Sequence, residues 1–158
     1  MTDAASGLLT AATLNRFTTK TRDRLLETSL VLFNERGFGA VTTASIAERA
    51  GVLEGSLWYH FRTKKDILTA HIELLQQVFD GTNLDADSTD AETIIAGIFA
   101  SYDVIWDFRY ILRDDFGTVL DANEPALQTS RVINDFLDTW TEDRIRHAGK
   151  HGLLNTVS

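Results

Sequence analysis

Cysteine is absent from this chain of 158 residues, and proline and methionine occur only once each. Without cysteine, disulfide bonds, thiol catalysis and zinc sites built on thiolates are excluded. No apolar run approaches the roughly 20 residues of a membrane span, and the N-terminus lacks the charged and then apolar build of a signal peptide. We therefore expect a cytoplasmic protein with no membrane partner and no cofactor.

Positive charge is also scarce, because 15 Lys and Arg stand against 23 Asp and Glu, giving a net charge of −8. The charge is unevenly distributed along the chain. Residues 14–79 hold nine Lys and Arg against seven Asp and Glu, whereas the remaining residues hold six Lys and Arg against sixteen Asp and Glu. This asymmetry predicts a locally basic head and an acidic body. An acidic body would repel DNA and leave only the head able to dock on it.

The stretch 42–68 has the pattern of two short helices joined by a tight turn. Thr42 or its neighbour can cap the first of them, and Gly51 suits its C-terminal end because glycine tolerates a positive φ. Leu57 and Phe61, four residues apart, give the second helix its buried face. This pattern predicts a helix-turn-helix, the unit that places its second helix in the major groove of DNA.

Helical periodicity over the rest of the chain predicts an all-α fold. A first helix is expected over 22–36, and a fourth begins at the capping box Thr63-x-x-Asp66. A second box, Thr89-x-x-Glu92, ends a polar linker, and later helices are expected over 91–106, 108–120 and 125–148. The predicted domains are a flexible arm at 1–19, a helix-turn-helix DNA-binding domain at 20–66 and a helical regulatory domain at 67–158.

Residues around the predicted turn resemble a known signature. They are Gly51-Val52, Gly55-Ser56-Leu57, Tyr59-His60-Phe61, Lys64 and Ile67-Leu68. Together they resemble the tetracycline-repressor (TetR) family of transcriptional regulators, over roughly residues 20–75. The resemblance implies a repressor that binds palindromic operator DNA as a homodimer and is released by a small hydrophobic effector.

The resemblance also implies which residues dock on DNA. They are Thr42, Thr43, Ser45, Glu54, Gly55, Ser56, Trp58, Tyr59, His60 and Lys64. Two positions depart from the family pattern, since Leu53 replaces the usual Ser or Thr cap and Glu54 replaces a small or basic residue. These departures support the alternative hypothesis, a helical interaction or ligand-binding module with weakened DNA affinity.

Aromatic residues of the acidic body are candidates for an effector pocket. They are Phe99, Tyr102, Trp106, Tyr110, Phe136 and Trp140. The same spacing also fits a plain apolar core, and His71 is expected to be a core or boundary residue. An enzyme that uses Asp114, or a histidine with a carboxylate, would lack any recognisable nucleophile or metal spacing, so we predict no enzyme. Family members usually continue with two further long helices, so this chain is either a short variant or truncated.

Overall fold

The computed structural model describes residues 9–81 and 90–113, together with isolated helical positions between 131 and 150. All regular elements in these residues are α-helices, which confirms the predicted fold class. The helices are α1 (Ala11–Leu14), α2 (Thr21–Arg36), α3 (Thr43–Ala50), α4 (Glu54–His60), α5 (Lys64–Gly81), α6 (Ala91–Asp107) and α7 (Arg109–Arg113). None of the helices described here is long and apolar enough to cross a membrane.

Helix α2 is the centre of the head. Its side chains from 29 to 34 are all buried, and it packs against α3, α4, α5 and α7. A helix that is buried on several faces must carry apolar residues on all of them. Leu30 and Phe33 are fully buried in this way, and Phe33 also contacts the rings of Phe38 and Tyr110.

Polar side chains fix the starts of α5 and α6. The predicted box at α5 is confirmed, because the Asp66 carboxylate accepts from the Thr63 N–H at 2.9 Å and the Thr63 hydroxyl accepts from the Asp66 N–H at 3.2 Å. At α6 the predicted box was one residue too early: the cap is Asp90, whose carboxylate accepts from the N–H of Thr93 at 2.9 Å. A carboxylate is favoured there by the helix dipole.

The N-terminal segment packs onto the helices where it is described. Leu9 and Thr13 are buried, and the N–H of Thr10 donates to both carboxylate oxygens of Asp107 at 3.0 and 3.1 Å. The Arg16 guanidinium donates to the carbonyl of Gln77 at 3.1 Å. The described part of the predicted arm thus holds a short helix, Ala11–Leu14, and packs onto α5 and α6, while residues 1–8 lie outside the described part.

Candidate nucleic-acid interface

The turn between α3 and α4 has a tightly determined backbone. Gly51 adopts φ 67°, the left-handed conformation that glycine reaches without steric cost. The N–H of Val52 then closes back on the carbonyl of Ala47 at 3.0 Å. The Arg24 guanidinium from α2 donates to the carbonyl of Ala50. It therefore supplies a donor for a carbonyl at the C-terminal end of α3, where the helix dipole is negative. These contacts close to the turn therefore fix how α4 is oriented relative to α3.

One side of α4 is anchored and the other faces outward. Leu57 is fully buried and Phe61 follows it into the core, as their spacing predicted. Tyr59 is 85% exposed and Trp58 43% exposed, and Glu54 and Gly55 are exposed as well. Leu53 precedes the helix 84% exposed and makes no side-chain cap. An outward face on a firmly anchored short helix is what insertion into a DNA groove requires.

We define the reading surface as the ten residues predicted to dock on DNA, some of which the structure connects directly. The start of α3 contributes a capping box in which the Thr42 hydroxyl accepts from the Ser45 N–H at 3.1 Å and the Ser45 hydroxyl accepts from the Thr42 N–H at 3.2 Å. The hydroxyl of Thr43 donates to the Glu54 carboxylate at 3.1 Å. This bond joins the starts of α3 and α4 across the surface.

Lys64, at the start of α5, has a structural role that its sequence position did not reveal. Its ammonium donates to the carbonyls of Phe38 at 2.7 Å and Val41 at 2.9 Å, and lies 4.3 Å from the Phe38 ring centre. Burial lowers the pKa of Lys64. An ammonium has three N–H groups, so one remains for a phosphate.

Two arginines that are not among the ten predicted docking residues lie beside Tyr59 and His60. Arg22 and Arg62 line a cleft of about 400 Å³ together with Tyr59 and His60. The Arg22 guanidinium lies 5.1 Å from the ring centre of Phe61, which holds it beside the end of α4. The stacking was not foreseeable because it joins residues 39 positions apart. The nearby Arg49 is already paired with Glu35 at 2.8 Å.

The aromatic residues predicted to line an effector pocket do not form one enclosed site in the described part of the chain. Phe99, Tyr102 and Trp106 lie exposed on α6, whereas Tyr110 is fully buried. Phe136 and Trp140 lie outside the described residues. The pocket therefore remains a prediction.

Tyr110 belongs instead to a buried polar contact around His71, which is a core residue as expected. Nε2 of His71 lies 2.9 Å from the Leu26 carbonyl, and Nδ1 lies 2.8 Å from the Tyr110 hydroxyl. A carbonyl can only accept, so Nε2 carries the proton and Nδ1 accepts from the tyrosine. The pKa of His71 falls to about 4 because burial disfavours the imidazolium, although the bond to the Leu26 carbonyl opposes the shift.

The side chain of Asn34 on α2 forms hydrogen bonds with the corner between α6 and α7. Its side-chain amide donates to the Asp107 carbonyl at 2.7 Å and accepts from the Tyr110 N–H at 3.1 Å. Arg113 adds bonds to the carbonyls of Phe33 at 3.2 Å and Asn34 at 3.3 Å, at the negative end of α2. Any displacement of this corner must break these buried bonds or move α2 with it.

The anchored turn, the outward face of α4 and the helical remainder define a helix-turn-helix protein of the all-α class. Residues 25–71 match the model described as bacterial regulatory proteins, tetR family. The helix-turn-helix region is therefore similar to this family, as the sequence resemblance implied. The match therefore relates residues 25–71 to regulatory proteins.

The relatives extend the likeness beyond the head. The transcriptional repressor KstR2 of Rhodococcus jostii is 29% identical over 129 residues, covering 75% of this chain and 61% of that protein. The tetracycline repressor protein class C of Escherichia coli is 30% identical over 81 residues, covering 51% and 37%. The solved KstR2 of Mycobacterium tuberculosis shares the fold with a TM-score of 0.68, at 24% identity over 85% of this chain and 71% of that one. The match thus spans less than two thirds of the first two relatives.

Proposed function

We propose that this protein is a transcriptional repressor that binds operator DNA through the reading surface, as a two-fold dimer on a palindromic site. The observation that carries the proposal is the outward face of α4, where Glu54 and Tyr59 are exposed while Leu57 anchors the helix from behind. Helix-turn-helix proteins read bases with the first residues of this helix and hold phosphates with residues around it. KstR2 of R. jostii and the tetracycline repressor protein class C are named repressors, which supports repression rather than activation.

Fluorescence anisotropy with a labelled duplex from the DNA flanking its own gene tests this function. Binding should weaken as salt rises, because each phosphate contact releases counterions. Arg62→Ala should weaken binding to all duplexes and flatten the salt dependence by roughly 0.9 in the log–log slope. The matched control is Arg146→Ala, which removes an exposed arginine that pairs with Glu142 and Asp143 far along the chain. Equal effects of the two variants, or no salt dependence, would contradict the proposal.

We further propose that a small apolar effector releases the protein from DNA. KstR2 of M. tuberculosis is described as a ketosteroid transcriptional regulator, which suggests a ketosteroid as the first probe. The contacts of Asn34 with Asp107 and Tyr110 supply a route, because they connect the α6–α7 corner to the central helix of the head. A ligand can shift binding only by its different affinity for two arrangements of these parts.

The probe is a ketosteroid titrated into the protein–DNA complex. Anisotropy should fall if the steroid favours the form that does not bind DNA. Asn34→Ala should weaken this response while the variant still binds DNA, because its head would no longer be joined to the corner. An unchanged response in the variant would show that the effector acts through another contact.

A further inference from the structure

The residues that precede α2 bridge two later helices of the fold. We define the N-terminal clasp as residues 9–17, which include the four-residue helix α1. Leu9 and Thr13 are buried, and Leu14 and Phe17 pack against the common core. A helix of this length has almost no stability of its own, so the clasp is held in place by what it contacts.

One end of the clasp is bound to the C-terminal end of α6. The Thr10 hydroxyl donates to the Asp107 carboxylate at 2.5 Å, and the Thr10 N–H donates to both carboxylate oxygens at 3.0 and 3.1 Å. Asp107 is only 1% exposed. Burying a carboxylate is unfavourable unless donors satisfy its oxygens, and hydrogen bonds to a charged acceptor are the stronger kind. Thr10 and Asp107 therefore form a firm contact.

The other end of the clasp is bound to the last turns of α5. The Arg16 guanidinium donates to the Gln77 carbonyl at 3.1 Å. It also lies beside Gly81, where a Cβ atom would collide with it. The glycine thus leaves the space that Arg16 occupies. Because the colliding atom is the distal end of a flexible side chain, alanine at position 81 would displace Arg16 without disturbing the backbone of α5.

Helix α5 is the element that this contact restrains. At its start, the Lys64 ammonium donates to two carbonyls of the head, and in its middle His71 contacts the Leu26 carbonyl of α2. Arg16 holds its last turns. A helix that is held near both ends keeps one direction relative to its neighbours, whereas a helix held only at its start can tilt. The clasp therefore limits how α5 and α6 can move relative to each other.

We propose that the N-terminal clasp is a positioning element for DNA binding, which ties α5 to the end of α6 and so holds the head in the orientation that both half-sites of an operator require. This role presupposes the two-fold binding proposed above. Two heads bind together only if each points at its own half-site, so a loosely held α5 lowers the effective concentration of the second head. None of the ten residues of the reading surface lies in the clasp, so contact with a single half-site does not depend on it.

Hydrogen–deuterium exchange on the full chain without DNA measures whether the clasp is closed. Gly81→Ala displaces Arg16 from one end, and Thr10→Val removes the hydroxyl at the other. Each should speed amide exchange of residues 9–17 by at least about threefold, because local opening becomes easier. Alanine is a better helix former than glycine, so Gly81→Ala should not weaken α5 itself.

Matched controls make the same substitutions at exposed helical positions far along the chain. Gly149→Ala adds a Cβ atom that contacts nothing, and Thr139→Val removes a hydroxyl that donates only to the carbonyl of Asp135 on the preceding turn. Neither control should change the exchange of residues 9–17. All four variants keep the net charge of the chain, so the electrostatic attraction to DNA is unaltered.

Fluorescence anisotropy then compares two duplexes, the whole site that the protein protects beside its own gene and one half of that site. Gly81→Ala and Thr10→Val should each lower affinity for the whole site about tenfold and leave affinity for the half-site unchanged. A tenfold loss is a modest part of the roughly 10²–10⁴-fold gain that two linked contacts can give. The two controls should bind both duplexes as the wild type does.

The alternative results separate this role from a merely structural one. Unchanged exchange of residues 9–17 in both clasp variants would overturn the clasp, whatever the DNA result. Faster exchange with unchanged affinity for the whole site would overturn the positioning role. An equal loss on both duplexes would overturn it as well, since the clasp would then only support the fold of the head. A wild type that binds neither duplex would overturn the proposed function itself, whereas failure of the clasp alone leaves wild-type binding intact.

Discussion

His71 should make the stability of the fold acid-sensitive in a defined pH window. Its pKa is about 4 in the folded protein and about 6.5 in an unfolded chain, so the unfolded state binds the proton more readily. Stability is therefore unaffected above pH 6.5 and is lost as the pH falls from 6.5 towards 4. Linkage gives a loss of about 2 kcal/mol at pH 5 and about 3 kcal/mol at pH 4. This loss is a large part of the total free energy of unfolding of a domain of this size.

Urea unfolding followed by tryptophan fluorescence, at pH values from 7.5 to 4, measures the loss. The reference is His71→Gln, which cannot titrate but can still donate towards the Leu26 carbonyl. Carboxylates titrate in both proteins, so the difference between the two curves isolates the histidine. The wild type should lose about 2 kcal/mol more than the variant between pH 7 and pH 5. Parallel curves over the whole range would mean that His71 is not held neutral by burial, and the tautomer assigned above would fail with them.

Two further predictions concern the polar contacts of the head. Lys64→Ala should lower the unfolding free energy by about 1–3 kcal/mol, because the Phe38 and Val41 carbonyls lose their donor; in anisotropy titrations it should also flatten the salt slope by roughly 0.9. A lower stability with an unchanged slope would remove Lys64 from the DNA contacts. Asn34→Ala should cost about 1–3 kcal/mol in urea unfolding, since the Tyr110 N–H loses its buried acceptor, and a cost below about 0.5 kcal/mol would show that water replaces the amide.

The helix-turn-helix was predictable because its determinants are local. The capping residue Thr42, the glycine that ends α3 and the anchors Leu57 and Phe61 all act within a few residues of one another. Each of these signals depends on backbone geometry that a short segment carries with it. Thr43 and Glu54 meet across the turn for the same reason, although the contact of the reading surface with DNA remains a prediction.

The contacts between residues far apart in sequence were not predictable from periodicity. The partners of Lys64 lie 26 and 23 residues away, and Thr10 meets Asp107 across 97 residues. A helical period indicates that a residue lies on an apolar stripe, but it does not tell which stripe another element covers. Tyr110 and Trp106 illustrate this, since both fit the predicted pocket and one is buried while the other is exposed.

Among the residues of the reading surface, Glu54 gives the sharpest prediction about which DNA sequences the protein prefers. The Thr43 hydroxyl binds one carboxylate oxygen, which orients the group and leaves the other oxygen for a donor. Phosphates repel this charge, but a cytosine N4 amino group can donate to it. Glu54→Gln should therefore raise affinity for scrambled DNA and shrink the specificity ratio by about 1–3 kcal/mol at one base pair.

The matched control for Glu54 is Thr43→Val, which keeps the charge and removes only the orienting hydroxyl. It should leave affinity for scrambled DNA unchanged and reduce the specificity ratio by less than Glu54→Gln does, because the carboxylate would still repel phosphates but would no longer be held in place. Competition between operator and scrambled duplex, at one fixed salt concentration, measures both quantities. If Glu54→Gln raises both affinities equally, the carboxylate reads no base. It would then act only by repelling phosphates, and the bond to Thr43 would serve the packing of α3 against α4.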